Sequence, residues 1–229
     1  MKSVAVLYSG GKDSTFAIDL LRRDGFQVSC LITLFSENPD SYMLHTANIN
    51  LVQLSSRALK IPLVSGRTKG NKEEELLDIK EAVLAAKQEY SFDTIGCGGL
   101  ASNYQKTRIE KIAEECNVAS VCPLWGVDQR KYMKQLVDSG YRFILTSVSA
   151  AGLDERWLGK EIDQEFVGEL IELSKKYRFN AALEGGEGET LVLDCPLFPK
   201  EKLRLVECRK KWNGYQGLLE ITKAELEPK

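Results

Sequence analysis

The run Ser9-Gly10-Gly11-Lys12-Asp13-Ser14 concentrates groups that bind an anion. Gly10 and Gly11 let the backbone come close to a ligand, Ser9 and Ser14 donate hydroxyl hydrogen bonds, and Lys12 adds a full positive charge. Upstream, Ser3-Val4-Ala5-Val6-Leu7-Tyr8 is short, apolar and partly β-branched, as a buried strand is. Downstream, Phe16 and Leu20, then Ala17 and Leu21, recur four apart, the stripe of a helix packed on a sheet. The glycines therefore fall at a strand-to-helix turn, where backbone N–H groups and the helix dipole favour a phosphate. Asp13 is expected either to cap that helix or to hold a magnesium ion carried by phosphates. A second stretch, Glu184-Gly185-Gly186-Glu187-Gly188-Glu189-Thr190, is equally rich in glycine but acidic. Its sign is wrong for another phosphate and suits a cationic group.

Other candidates carry less on their own. His45, the sole histidine, sits in a loop and is read as substrate-side. Asn103, Tyr104, Gln105 and Arg108 open a helix after the turn Gly96-Cys97-Gly98-Gly99. Asn103 and Gln105 would orient a substrate and Arg108 would reach a phosphate; the competing reading is a helix surface with Tyr104 packed. The acidic run Glu73-Glu74-Glu75 reads as the solvated first turn of a helix. None of the six cysteines forms a C-x-x-C pair, and four lie in or beside apolar segments, where a free thiol acts as a small hydrophobe. No structural metal is expected from them.

The elements that position these residues alternate strand and helix from Met1 to about Trp125. Strands are expected at Gln27 to Phe35, Ile61 to Gly66, Phe92 to Ile95 and Ala119 to Cys122, with a helix over Asn48 to Lys60. Such alternation implies a parallel sheet with helices on both faces and ligands at the carboxyl ends of its strands. The phosphate loop, the Ser36–Thr46 loop and the Gly96–Gly99 turn all follow strand ends, so they should meet in one cleft. The remainder reads as a smaller α+β unit, closing in a hairpin whose arms, Leu203 to Glu207 and Leu218 to Thr222, flank Asn213-Gly214. The expected division is 1–125 for nucleotide binding and 126–229 for substrate binding. With 31 basic and 33 acidic residues the net charge is −2, which gives no electrostatic case for nucleic acid or membrane. No apolar run approaches the ~20 residues of a membrane span. Met1-Lys2 leads into a strand rather than a signal peptide, so a cytoplasmic protein is expected.

Ser9 to Ser14 is not a Walker loop, which would need Ser or Thr directly after Lys12. It resembles the PP-loop, Ser-Gly-Gly-x-Asp-Ser, of the N-type ATP pyrophosphatases, whose members grip the pyrophosphate of ATP and adenylate a substrate. Three further stretches are similar to the diphthine–ammonia ligases. They are Gly98 to Arg108 (G-x-x-A-S-x-Y-Q-x-x-R), Ser41 to Thr46 (S-Y-M-x-H-T), and Glu184 to Thr190 with Asp194-Cys195-Pro196-Leu197-Phe198 after it. The resemblance runs in family order over nearly the whole chain. Two departures stand out: Leu183 replaces a glycine, and Gly188 replaces an aromatic residue.

This resemblance implies a Rossmann-like (HUP/PP-loop) fold and a reaction. The carboxylate of diphthine, a modified histidine on elongation factor 2, is activated by ATP and magnesium, and ammonium displaces AMP to give diphthamide. Lys12 and Asp13, with Ser9, Gly10, Gly11 and Ser14, would hold the nucleotide. Gly96 and Arg108 would add contacts, and the backbone of Thr33 and Leu34 would read adenine. Glu184, Glu187, Glu189 and Thr190, together with His45, Asn103, Tyr104 and Gln105, would face the substrate, with Glu187 as the base for ammonia. Two alternatives stay open: another PP-loop adenylating enzyme, tRNA-modifying or acting on a small molecule, and a non-catalytic ATP sensor. Nothing in the sequence decides between a monomer and a homo-oligomer.

Overall fold

The computed structural model describes residues 2–38, 48–71 and 74–229. Five parallel strands, β1 (Ser3–Leu7), β2 (Gln27–Ser36), β3 (Leu63–Thr68), β4 (Thr94–Gly96) and β5 (Ala119–Val121), form one sheet in the order β3-β2-β1-β4-β5. Helices α1 (Lys12–Arg23), α2 (Val52–Leu59), α3 (Glu74–Glu89) and α4 (Asn103–Glu115) connect them. Strand alternation sorts the two faces. Val4 and Val6 pack with Phe16 and Leu21 of α1 and Val52 and Leu59 of α2. Ala5 points the other way, into the cluster with Ile79 and Val83 of α3 and Ile109 and Ile112 of α4. The doubly covered parallel sheet expected from the sequence is what forms.

A four-stranded antiparallel sheet follows, ordered β7-β6-β9-β8, from β6 (Arg142–Val148), β7 (Gly188–Asp194), β8 (Glu201–Trp212) and β9 (Gly217–Pro228). Helices α5 (Gln129–Asp138) and α6 (Gln164–Tyr177) pack on it. Asp128 caps α5 by accepting from the N–H groups of Arg130 and Lys131, and Asp163 caps α6 through Phe166 N–H at 2.9 Å. Helix α1 lies between the two sheets. Its Phe16 ring meets Tyr132 of α5 and Tyr141 beside β6 at centroid distances of 5.8 and 5.2 Å.

Two elements differ from their sequence reading. The hairpin arms are each twelve residues long and are joined by a four-residue loop in which Asn213 Oδ1 accepts from Tyr215 and Gln216 N–H. Cross-strand ion pairs, Lys202–Glu227 and Lys211–Glu220 at 3.2 and 2.9 Å and Arg204–Glu225, extend the pairing past the apolar core of each arm. Helix α2 starts later than expected, after a 3₁₀ turn at Ile49–Leu51, because Asn48 is spent elsewhere. Its side chain donates to Leu219 O and accepts from Ile221 N–H, both at 2.8 Å, pinning the second sheet to the first unit.

Candidate active site

In this sheet the strand order reverses between β1 and β4, so their following loops open a crevice at the carboxyl edge, the usual ligand position in such folds. A cavity of about 270 Å³ occupies it. Ser9, Lys12, Asp13 and Ser14 enter from the β1 turn, Thr33 and Leu34 from β2, and Gly98 and Gly99 from the β4 turn. Gln105 enters from α4, and Glu184, Glu189 and Thr190 come from the second half. Two motifs more than 170 residues apart thus line one cavity.

The turn itself departs from expectation in two respects. The N-cap of α1 is Gly11, not Asp13, which lies inside the first turn. The close approach that Gly11 permits is used by the protein: a Cβ there would lie 3.2 Å from the Thr190 carbonyl and 3.3 Å from its hydroxyl. Thr190 Oγ1 accepts the Lys12 N–H at 3.1 Å, and Val192 N–H donates to Gly10 O at 3.0 Å. Strand β7 therefore caps the helix that the phosphate loop begins. Thr190→Val should lower stability by about 1–2 kcal/mol, read as a shift in denaturant midpoint.

Lys12 is 2% exposed. Its Nζ lies 2.8 Å from Asp13 Oδ2 and donates to Ala182 O at 2.6 Å. The other carboxylate oxygen of Asp13 accepts from the Tyr132 hydroxyl at 2.7 Å. Burial and the Asp13 charge both push the Tyr132 hydroxyl well above its ordinary range, so it stays a donor. The hydroxyls of Ser9 and Ser14 are 3.2 Å apart, close enough to grip one anionic oxygen together.

The acidic stretch divides by role. Glu184 reaches from the second half to accept the backbone N–H groups of Leu100 and, at 2.8 Å, Ala101. Burial raises its pKa, opposed by the Leu100 bond and reinforced by Asp13. A carboxyl raised on folding gives stability that is full below its unfolded value and is lost as pH rises through the folded one. Glu184→Gln has no proton to lose, so its melting temperature should fall less than the parent's as pH rises from about 4 through the raised folded pKa. Glu187 is placed differently: its two oxygens accept the N–H groups of Asn180 and Gly185 at 2.8 and 2.6 Å, and it does not line the cavity. Glu189 does.

The two departures from the family pattern prove to be neighbours. Leu183 has φ +62°, the left-handed region that favours glycine and costs another residue roughly 1–2 kcal/mol. A Cβ at Gly188 would strike the Ser147 carbonyl at 2.6 Å and would lie 3.8 Å from Leu183 Cδ1. The leucine thus fills space beside the position that an aromatic side chain would leave from.

The remaining candidates lie further out. Asn103 is exposed, and Arg108 stacks on Tyr104, its Cζ 3.4 Å from the ring centroid; none of the three lines the cavity. Gly96 is buried in the sheet, where a Cβ would meet Leu21 at 2.8 Å, so its role is packing under the crevice. His45 and the Ser41–Thr46 stretch lie outside the described residues. Five contributors were given no individual role from the sequence. Gly98 packs directly on α1, and Tyr132 holds Asp13. Trp125 presents to the cavity a ring with Lys106 Nζ 4.4 Å above it, and Cys97 and Cys122 touch. Cys97 and Gly98 had a local signal, since they lie in the Gly96–Gly99 turn after a strand, and Cys122 and Trp125 flank the strand end at Pro123.

A model of the diphthamide synthase N-terminal domain matches residues 1–120, and one of the C-terminal domain matches residues 128–226. Relatives include the diphthine–ammonia ligase of Homo sapiens, 33% identical over 217 residues that cover 86% of this chain and 81% of that one. The Saccharomyces cerevisiae diphthine–ammonia ligase is 26% identical over 247 residues, covering 93% of this chain and 36% of the longer yeast protein. Among solved structures, a predicted subunit of tRNA methyltransferase from Methanocaldococcus jannaschii is similar at a TM-score of 0.45 and 20% identity, covering 86% of this chain and 98% of that one. No helix among the described residues is long and apolar enough to cross a membrane.

Proposed function

The chain belongs to the diphthamide synthase family, and from that premise we propose that it amidates the diphthine carboxylate of elongation factor 2 with ammonium, using ATP through an acyl-adenylate. The observation that carries this reading is the single cavity lined by both the phosphate loop and the acids of the second half. A cytoplasmic site of action, and a division at about residue 125 into nucleotide-binding and substrate-binding parts, go with it.

In the first step the substrate carboxylate attacks the α-phosphorus, and the bond to pyrophosphate breaks. Two anions must approach one another, so the charge has to be offset and the reactants aligned. Backbone N–H groups at the start of α1, the Ser9 and Ser14 hydroxyls and the Lys12 ammonium supply that on the leaving side. Ile32, Leu34 and Ile79 offer the base an apolar wall. In the second step ammonia attacks the acyl carbon, the bond to AMP breaks, and a nearby carboxylate takes a proton from the nitrogen. Glu189, which lines the cavity as Glu184 does and Glu187 does not, is taken as the acid for this step. The Trp125 face, now under Lys106, is a natural seat for the trimethylammonium of diphthine.

Magnesium would arrive with the phosphates of ATP, which together with water supply most of its ligands. Asp13, the carboxylate at the phosphate turn, has both oxygens engaged by Lys12 and Tyr132. No step here runs through the metal.

The test is release of AMP and pyrophosphate from ATP and ammonium in the presence of diphthine-bearing elongation factor 2. Stimulation by that acceptor, and none by unmodified elongation factor 2, is expected. Release driven by tRNA would favour another adenylating enzyme of the superfamily, and ATP binding without release under any acceptor would favour a sensor. Glu189→Gln should keep ATP binding but slow amide formation at least about a hundredfold, the low end for a lost general base.

A further inference from the structure

Cys97 follows β4 and Cys122 follows β5, one step beyond the last register pair of these parallel strands, Gly96 with Val121. The Cys97 N–H donates to Val121 O at 3.1 Å, which holds the two strand ends side by side. Their sulfurs lie 2.7 Å apart. Both are free thiols of intermediate exposure, and both line the cavity that holds the phosphate loop. The other cysteines differ: Cys30, Cys116 and Cys195 are buried, and Cys208 is exposed on β8. The Cys97–Cys122 pair is thus the one arrangement among the described residues in which two thiols meet at an accessible wall.

The chemistry of the two sulfurs is unequal. The hydrogen bond shared by the two sulfurs lowers the Cys97 pKa, against the opposing effect of burial, and the Gly99 N–H helps. The same bond raises Cys122. A thiol that ionises readily beside one that keeps its proton is the pairing found in peroxide-reactive sites with a resolving cysteine.

We propose that Cys97 and Cys122 form a redox-sensitive dithiol whose oxidation by a peroxide to a disulfide weakens nucleotide binding in the adjoining cavity. The Cys97 thiolate attacks one peroxide oxygen, the O–O bond breaks, and the leaving hydroxide takes a proton to become water. Cys97 is then a sulfenic acid. Cys122 attacks its sulfur, the S–O bond breaks, and a second water leaves with the Cys122 proton. Two thiols have lost two electrons and the peroxide has gained them.

The coupling to nucleotide binding follows from what flanks Cys97. A Cβ on the next residue, Gly98, would lie 2.6 Å from the Asp13 carbonyl carbon and from Ser14 N, so this segment rests directly on the first turn of α1. Two residues further, Leu100 and Ala101 hold Glu184. Tying Cys97 to the end of β5 moves a segment that touches both sides of the cavity. This consequence rests on the ATP reading above; the disulfide chemistry does not.

The experiment uses the full-length protein in a Cys208→Ser background, treated with hydrogen peroxide and followed by intact mass, peptide mapping and ATP-binding calorimetry. The expected product is about 2 Da lighter, with Cys97 and Cys122 peptides joined. Its ATP affinity should be several-fold weaker, and dithiothreitol should restore both. In Cys122→Ser the Cys97 sulfenic acid should accumulate and be trapped by dimedone. Oxygen addition at Cys97 without a cross-link in the parent, or a cross-link that leaves ATP affinity unchanged, would overturn the proposal. Should the reduced protein bind no ATP, the ligase reading fails instead, and the cross-link would still register by mass.

Discussion

A Lys12→Met protein is expected to release pyrophosphate at least about a hundredfold more slowly than its parent, the scale seen when a charge-stabilising group at a reaction centre is lost. The ammonium is the only full positive charge in the run Ser9 to Ser14, and it is nearly solvent-free at 2% exposure. In so dry a site the charge is weakly screened, so its loss is felt far more than that of a surface lysine. The substitution also strands its partners: Asp13 loses its counter-ion at 2.8 Å and Ala182 O loses its donor. Removing one member of a buried pair costs up to about 3–5 kcal/mol, so a thermal melt must accompany the assay. Lys12→Arg separates the two effects. It keeps the charge, but the planar fork does not fit the compact contact with Ala182 O, so stability should suffer while some pyrophosphate release survives. Turnover within about twofold of the parent in a folded Lys12→Met protein would remove the ammonium from the phosphate grip.

What could be read from the sequence was what depends on neighbours along the chain. Strand β1, the glycine turn and helix α1 follow from apolar spacing over some twenty residues, and the alternation that builds the parallel sheet repeats the same signal. What could not be read depends on contacts between distant segments. The sequence assigns the freedom of Gly11 to a ligand, and the structure uses it to seat Thr190. Lys12 looks like a free cation in the motif, yet it is tied to Ala182, 170 residues away. Glu184, Glu187 and Glu189 look equivalent in a glycine-rich run. Only the folding of their loop gives Glu187 two backbone amides to hold and leaves Glu189 on the cavity wall. The odd leucine at position 183 and the missing aromatic at 188 appear unrelated in one dimension. They become one rearrangement once both are seen to face the same space.

Gly98→Ala should cripple ATP binding, by at least about tenfold, although it adds a single methyl group. The added Cβ would sit 2.6 Å from the Asp13 carbonyl carbon and from Ser14 N, and 2.8 Å from the Asp13 carbonyl oxygen, all backbone atoms. No rotamer change relieves such a clash. Either the turn after β4 moves or the first turn of α1 does, and both carry cavity walls. Forcing a methyl into a packed contact typically costs about 1–3 kcal/mol, which a protein of this size can absorb without unfolding. The displacement therefore falls where phosphate would be held. Gly99→Ala is the internal control. Its Cβ would meet nothing nearer than Glu184 Oε1 at 3.9 Å and Gln105 Oε1 at 4.0 Å, ordinary contact distances, so its effect should be much smaller. Calorimetric titration of ATP into the two variants checks this. Equal affinities would mean that the first turn of α1, with its N–H groups, is not where the nucleotide's tail is gripped. The ligase reading would then lack the geometry on which the reaction depends.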